Sequence, residues 1–409
     1  MSRRWAIFIV TSLLFVLSQF YRASIAVITP NLMADLSLNT KGLSLMSAAF
    51  FYAFALTQIP LGIYLDRVGP RITMTCLSLI AVLGGLVFAW ADSQTVLIIG
   101  RILLGVGMAC NLMGTFKLLT LWFGPLKFAT LTTFVISFGT AGNMVATTPL
   151  VLLVQGIGWR MTFTVFAIIN LVLVIVFFLV VRDRNRDLPP HLQISEPPLG
   201  FRETLTDIYN LLHKRDYWII SWGTFCRYGV FAAVQTLWAG PYLLNVMALS
   251  QVATGNVIFS LNLGVILGGP VYGMLSDKIF KTRKWILVTG FLCLALTMAI
   301  LAFLSSQTSF FMLAVIFFCL GVFNSTGTIM YSHIKERMPI EKAGTAMSGI
   351  NFFTMVGAAI FLQGLGTLMQ HLYPGAALGP EAFTAAFLLC AVCLFLVSFL
   401  YMFTTDTHG

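Results

Sequence analysis

The sequence predicts an all-α polytopic membrane protein, with about twelve transmembrane helices in two pseudo-symmetric six-helix bundles. Three observations carry that prediction. The 409-residue chain is 58% hydrophobic and only 9% charged, against about 25% charged in soluble domains. Apolar runs long enough to cross a bilayer recur from end to end. A short Gly-x-x-x-Asp-base string occurs twice, at matching places in the two halves.

The first run, near 5–30, follows the basic start MSRR. It has the charges of a signal peptide but no convincing cleavage site, and many runs follow, so it reads as a retained span. Further spans fall near 42–64, 72–91, 95–120, 128–152 and 160–181, then near 217–243, 252–275, 285–304, 309–332, 342–369 and 382–404. Between the two sets lies the one long hydrophilic break, 182–216. It opens RDRNRDLPPHLQISEPPLG, charged and then Pro-rich, as a linker does. In the stretch that follows, Phe201, Leu205, Ile208 and Leu212 repeat at helical spacing, which predicts a short amphipathic helix on the membrane face. The expected organisation is therefore an N-terminal bundle over 1–181, a cytoplasmic connector over 182–216 and a C-terminal bundle over 217–409.

Charge sets the orientation. With the N-terminus inside, only Lys41 and Arg160 fall in outer loops, and only Arg22, Arg101, Lys117 and Arg227 fall within spans. The other bases lie on the inner side, which predicts cytoplasmic termini. Short loops and no organellar signal favour a bacterial inner membrane. The net charge of +10 forms no basic stripe on a soluble domain, so nucleic acid is not an expected partner. The expected partners are the lipid bilayer and a small molecule, with the chain a monomer. All seven cysteines sit in apolar runs, and Cys390-x-x-Cys393 has no His or acid beside it, so it reads as packing. No metal-ligand cluster, nucleophile elbow or phosphate loop is present, so neither an enzyme nor a cofactor is expected.

The repeated string is Gly62-x-x-x-Asp66-Arg67-x-Gly69-x-Arg71 after the second span and Gly273-x-x-x-Asp277-Lys278 after the eighth. Glycine permits close helix packing, and the aspartate can cap or pair across the turn. The fourth span carries Arg101-x-x-x-Gly105-x-Gly107. On these motifs, over nearly its whole length, the chain resembles the major facilitator superfamily. The resemblance implies two six-helix bundles around a central cavity and alternating access by rocking. It makes Gly62, Asp66, Arg67, Gly69, Arg71, Asp277 and Lys278 a conformational gating motif. Arg22, Pro30 and Asp35-Leu36 in the first span, with Arg227 in the seventh, resemble the anion:cation symporter and organophosphate:phosphate antiporter families. Where the symporters often have acids, this chain has Tyr21 and Met108.

The buried arginines then point to a substrate. None of the fourteen acids is placed at mid-membrane, so Arg22, Arg101 and Arg227 have no evident carboxylate. An isolated cation in low dielectric needs carbonyls, water or an anion. Guanidinium offers paired donors that fit carboxylate or phosphate. The expected function is secondary transport of a small organic anion (carboxylate, sugar acid or phosphorylated metabolite) bound between Arg22 and Arg227, by exchange or with a coupling proton. The competing reading of each arginine is structural, with backbone carbonyls or tyrosine as partners. Gln19, Tyr21, Tyr52, Tyr228, Gln235, Trp238, Asn324 and Asn351 are further candidate contacts. Trp238 is expected on the face of Arg227, eleven residues earlier. Lys117 and His333 read as residues near the inner end. The alternative function is a proton-coupled exporter of amphipathic compounds, for which no cavity carboxylate is visible.

Overall fold

The computed structural model describes residues 3–123, 125–183, 212–337 and 343–406, and all regular structure among them is helical. The helix expected over Phe201–Leu212 lies, but for Leu212, outside the described residues, as does most of the connector. Among the described residues, ten helices are long and apolar enough to cross a membrane, and the bent pair Leu131–Val145 and Thr148–Ile157 makes an eleventh candidate. The seventh expected span, Arg215–Val246, stays helical throughout but passes into π turns at Val234–Trp238 and Tyr242–Val246.

Several spans are interrupted rather than straight. The first is Arg3–Ala23 followed by Ile25–Leu36. The fourth is Gln94–Met108 followed by Asn111–Phe123. The tenth is Phe310–Asn324 followed by Gly327–Glu336. Each interruption exposes backbone carbonyls that apolar surroundings cannot satisfy. Polar side chains take them up: Ser18 Oγ donates to Met108 O at 3.4 Å, and Gln58 Nε2 to Ala109 O at 3.0 Å.

The chain divides into two compact units, Met1–Asn31 with Ala49–Pro198, and Leu32–Ala48 with Leu199–Gly409. The segment Leu32–Ala48 thus groups with the second unit. A β-carbon built on Gly366 would meet Ser44 and, at 2.9 Å, Trp238, so these three pack without space to spare. In the first unit the first span packs on the fifth and the third on the sixth. In the second unit the seventh packs on the eleventh and the ninth on the twelfth. The internal pairing is thus repeated at an offset of six spans.

The fourth-span motif has a packing explanation. A β-carbon at Gly105 would overlap the Phe50 carbonyl, and one at Gly107 the Ala81 backbone. The two glycines admit the second and third spans to backbone contact, where dispersion and not water exclusion drives association in lipid. On the outside of the sixth span, Ile168, Val172, Ile175 and Leu179 are exposed. Their spacing makes one apolar stripe that suits acyl chains.

Candidate functional site

In the first unit, Arg22 ends the helix Arg3–Ala23 and is 8% exposed, with its guanidinium 5.0 Å from the Phe54 ring centroid and 5.9 Å from that of Phe51. Cations over aromatic faces are stabilised by the ring quadrupole. Gln19, one turn earlier, is half-buried, and its Oε1 has no hydrogen-bond partner among the described residues. It lies beside the fifth span, where a β-carbon on Gly142 would stand 3.1 Å from Gln19 Cβ. Asn143, next to that glycine, also carries an oxygen without a partner among the described residues. Tyr52 is half-buried on the second span.

Arg101 and Tyr21 are packed in the interior of this unit. Arg101 is fully buried, donates from Nη1 to the Tyr21 carbonyl at 2.7 Å, and stands 4.6 Å over the Phe50 ring. Tyr21 is also fully buried, with its ring 5.5 Å from Phe20 and 6.3 Å from Phe163. Its hydroxyl lies 3.0 Å from where Gly85 would carry a β-carbon.

In the second unit, Arg227 is 5% exposed and donates from Nη1 to the Asn324 carbonyl at 2.8 Å and the Asn324 Oδ1 at 2.6 Å. The Tyr228 ring lies 5.9 Å from the guanidinium. Asn351 accepts from the Tyr331 hydroxyl at 3.2 Å. Gln235 donates to Asn262 Oδ1 at 2.7 Å, and Asn262 to the Ile258 carbonyl at 3.0 Å, a pair that ties the seventh span to the eighth. Trp238 and Arg227 face different neighbours. The π turn over Val234–Trp238 upsets the 3.6-residue register on which their shared face depended. Trp238 packs edge-on to Phe383 and against Gly366, while Arg227 turns to the tenth span.

The two loop motifs are tied down by residues the motif does not contain. After the second span Gly69 adopts φ +93°, where a side chain is strained, and Pro70 opens the third span. Asp183, just past the sixth span, accepts from the Arg71 backbone N–H at 2.7 Å. The Arg71 guanidinium donates to the Phe178 carbonyl at 3.1 and 2.9 Å and stands 4.3 Å over its ring. Gly62 has open space around it, and Asp66 and Arg67 close the preceding helix. In the second half Asp277 pairs with Arg283, which also takes Glu336 through both carboxylate oxygens at 2.9 and 3.2 Å. Asp406, past the twelfth span, accepts from the Arg283 and Lys284 N–H groups at 3.0 and 3.4 Å and from the Thr282 hydroxyl. Lys278 is exposed. Asp183 and Asp406 were not singled out from the sequence, although both follow the sixth span of their half. The Arg337–Asp216 pair, at 2.8 Å, joins the end of the tenth span to the start of the seventh. His333 is fully buried, 2.7 Å from the Tyr401 hydroxyl and 3.0 Å from the Thr405 carbonyl.

The Major Facilitator Superfamily sequence model matches residues 11–361 and 220–409. A probable sulfoacetate transporter of Cupriavidus necator is 24% identical over 93% of this chain and 92% of its own length. A probable L-galactonate transporter of Escherichia coli is 24% identical over 84% of this chain and 78% of its own length. The crystal structure of a bacterial homologue of the human lysosomal transporter Spinster superposes with a TM-score of 0.79 at 18% identity, covering 98% of each chain. At that identity the likeness speaks for the fold alone.

Proposed function

The chain belongs to the Major Facilitator Superfamily, and from that premise we propose that it is a secondary transporter of a small organic anion, working by alternating access. The anion is a carboxylate, sulfonate, sugar acid or phosphorylated metabolite. Arg227 is the observation that carries this reading. It is almost wholly buried, and among the described residues it has no ion pair, only the uncharged acceptors of Asn324. A guanidinium held in low dielectric by neutral groups retains charge that an anion can answer. Arg22 of the first unit is the second residue we assign to the anion, with Gln19 as its neighbour. Both relatives described above are named for organic anions, sulfoacetate and L-galactonate. We further propose an inner-membrane location with both termini cytoplasmic, on the distribution of Lys and Arg.

A thermal-shift screen of the purified full chain tests the reading. Sulfoacetate, L-galactonate, inorganic phosphate, a neutral sugar and a lipophilic cation would be compared, alongside Arg22→Ala and Arg227→Ala. Stabilisation by an anion, lost in both variants, is expected. Stabilisation by the lipophilic cation, equal in both variants, would overturn it in favour of an exporter.

A further inference from the structure

The break in the tenth span does more than bend a helix. In an unbroken helix the Thr328 N–H would reach the Asn324 carbonyl. Here it donates to Ser325 O at 3.3 Å, and the Ile329 N–H to Thr326 O at 3.0 Å. The turn has tightened to i→i+3 bonding, and the Asn324 carbonyl is left to Arg227. The residue that restarts the helix is Gly327. A β-carbon built there would overlap Cζ, Nη1 and Nη2 of Arg227. The guanidinium therefore occupies the space that any other residue at 327 would fill.

This arrangement decides which edge of the guanidinium is offered. Two acceptors on Asn324 engage Nη1, which has two hydrogens to give. The edge left over is Nε with Nη2, and Nε has no partner among the described residues. That edge is a two-pronged donor matching two oxygens of one acid group.

We propose that Gly327 and Asn324 are positioning residues that fix Arg227, so that the Nε–Nη2 edge takes two oxygens of a carboxylate or sulfonate. The inference rests on Arg227 being an anion-binding residue. Gly327 acts only through the space it leaves, and Asn324 only through the two oxygens it presents to Nη1. A lysine at 227 would carry the charge without the fork.

Gly327→Ala is well suited to test this, because the added methyl meets the far end of a flexible side chain and not backbone. The helices can stay in place while the guanidinium is displaced. Asn324→Ala removes the side-chain acceptor by a different route and decides the matter alone if Gly327→Ala does not fold. Gly321→Ala is the control, since its β-carbon would overlap the Leu261 backbone carbonyl and not the Arg227 side chain. Two readouts are taken on the full chain in detergent. One is the rate of Arg227 modification by phenylglyoxal, followed by mass spectrometry. The other is the affinity for sulfoacetate and L-galactonate.

Gly327→Ala and Asn324→Ala are expected to react several-fold faster at Arg227 and to bind the anion about tenfold more weakly, or about 1.4 kcal/mol, with unfolding temperatures near the parent's. Gly321→Ala is expected to lower the unfolding temperature and leave Arg227 reactivity unchanged. Unchanged Arg227 reactivity in both Gly327→Ala and Asn324→Ala would overturn the positioning role. Faster reaction in both, with no anion binding or protecting Arg227 in the parent chain, would overturn the anion reading and leave the positioning role standing.

Discussion

Arg101 donates to the backbone carbonyl of Tyr21, 2.7 Å away, at the interruption of the first span. Arg227 does the same with the carbonyl of Asn324, at the interruption of the tenth. In both units a buried guanidinium answers a carbonyl set free by a broken helix. The partial charge of a carbonyl offsets only part of a full positive charge. The two arginines differ in what remains: Arg101 is sealed within its unit over Phe50, whereas Arg227 keeps slight exposure.

Arg101 is accordingly expected to matter for stability first. Arg101→Ala removes a fully buried side chain, opens a cavity and leaves the Tyr21 carbonyl with only the Ser24 hydroxyl, 3.3 Å away. Such losses cost roughly 3–5 kcal/mol. A fall in unfolding temperature without any anion present is the expected result. Arg227→Ala should instead lose chiefly the anion-induced shift. If Arg101→Ala kept its stability and lost only the anion response, Arg101 would move from the packing to the site.

A second expectation concerns Asp183. Its carboxylate accepts the Arg71 N–H at the start of the third span, an N-terminal anion of the kind worth about 1 kcal/mol. Gly69→Ala would strain a backbone at φ +93° and press a methyl to 2.8 Å from the same carboxylate. Asp183→Asn should destabilise by about 1 kcal/mol and Gly69→Ala by about 2 kcal/mol. Because both changes act on one contact, the double variant should cost less than their sum. Strict additivity in chemical denaturation would show that Asp183 and Gly69 act separately.

Much of this was legible in the sequence. Apolar length and charge scarcity foretold a helical membrane protein, and the paired Gly-x-x-x-Asp strings foretold two related halves. Arg22, Arg101 and Arg227 stood out because a base in an apolar run is costly. What could not be read was which carbonyl each arginine meets. That depends on where a span breaks, and the breaks at Ser24 and at Ser325–Thr326 carry no proline to announce them. The face shared by Arg227 and Trp238 failed for a related reason, since a π turn has no composition signal. Asp183 and Asp406 read as loop acids until the ends of the sixth and twelfth spans are brought to the third and ninth.

The amide oxygens of Gln19 and Asn143 supply a substrate-selective prediction. Neither has a partner among the described residues, and both accept hydrogen bonds. A polyhydroxy acid can donate to them, whereas sulfoacetate has no hydroxyl to give. At the proposed anion site, Gln19→Ala and Asn143→Ala should each weaken binding of a polyhydroxy acid by about 1 kcal/mol, roughly fivefold, and leave an acid without hydroxyls within twofold. Equal losses for both anions in isothermal titration would show that these amides support the fold and not a hydroxyl.

The last prediction concerns Arg283, which gathers Asp277, Glu336 and Ser276 around one guanidinium near the ends of the eighth and tenth spans. Burial works against its charge, but the hydrogen bonds to Glu336 and Asp277 outweigh burial and hold its pKa above the ordinary arginine value. A raised folded pKa gives stability that is present below the unfolded pKa and is lost only as pH rises through the folded one. For arginine that window starts above about pH 12. Raising the pH from 7 to 10 should therefore leave the Arg283 contribution intact. Salt should not, because the Asp277 carboxylate is exposed, at 57%, and the screening length falls to about 3 Å at 1 M, the separation of a contact ion pair. Arg283→Ala should lower the unfolding temperature at low salt, and the gap to the parent should narrow in 1 M NaCl while staying constant between pH 7 and 10. A gap that closed on raising the pH would mean that a group other than Arg283 supplies the positive charge.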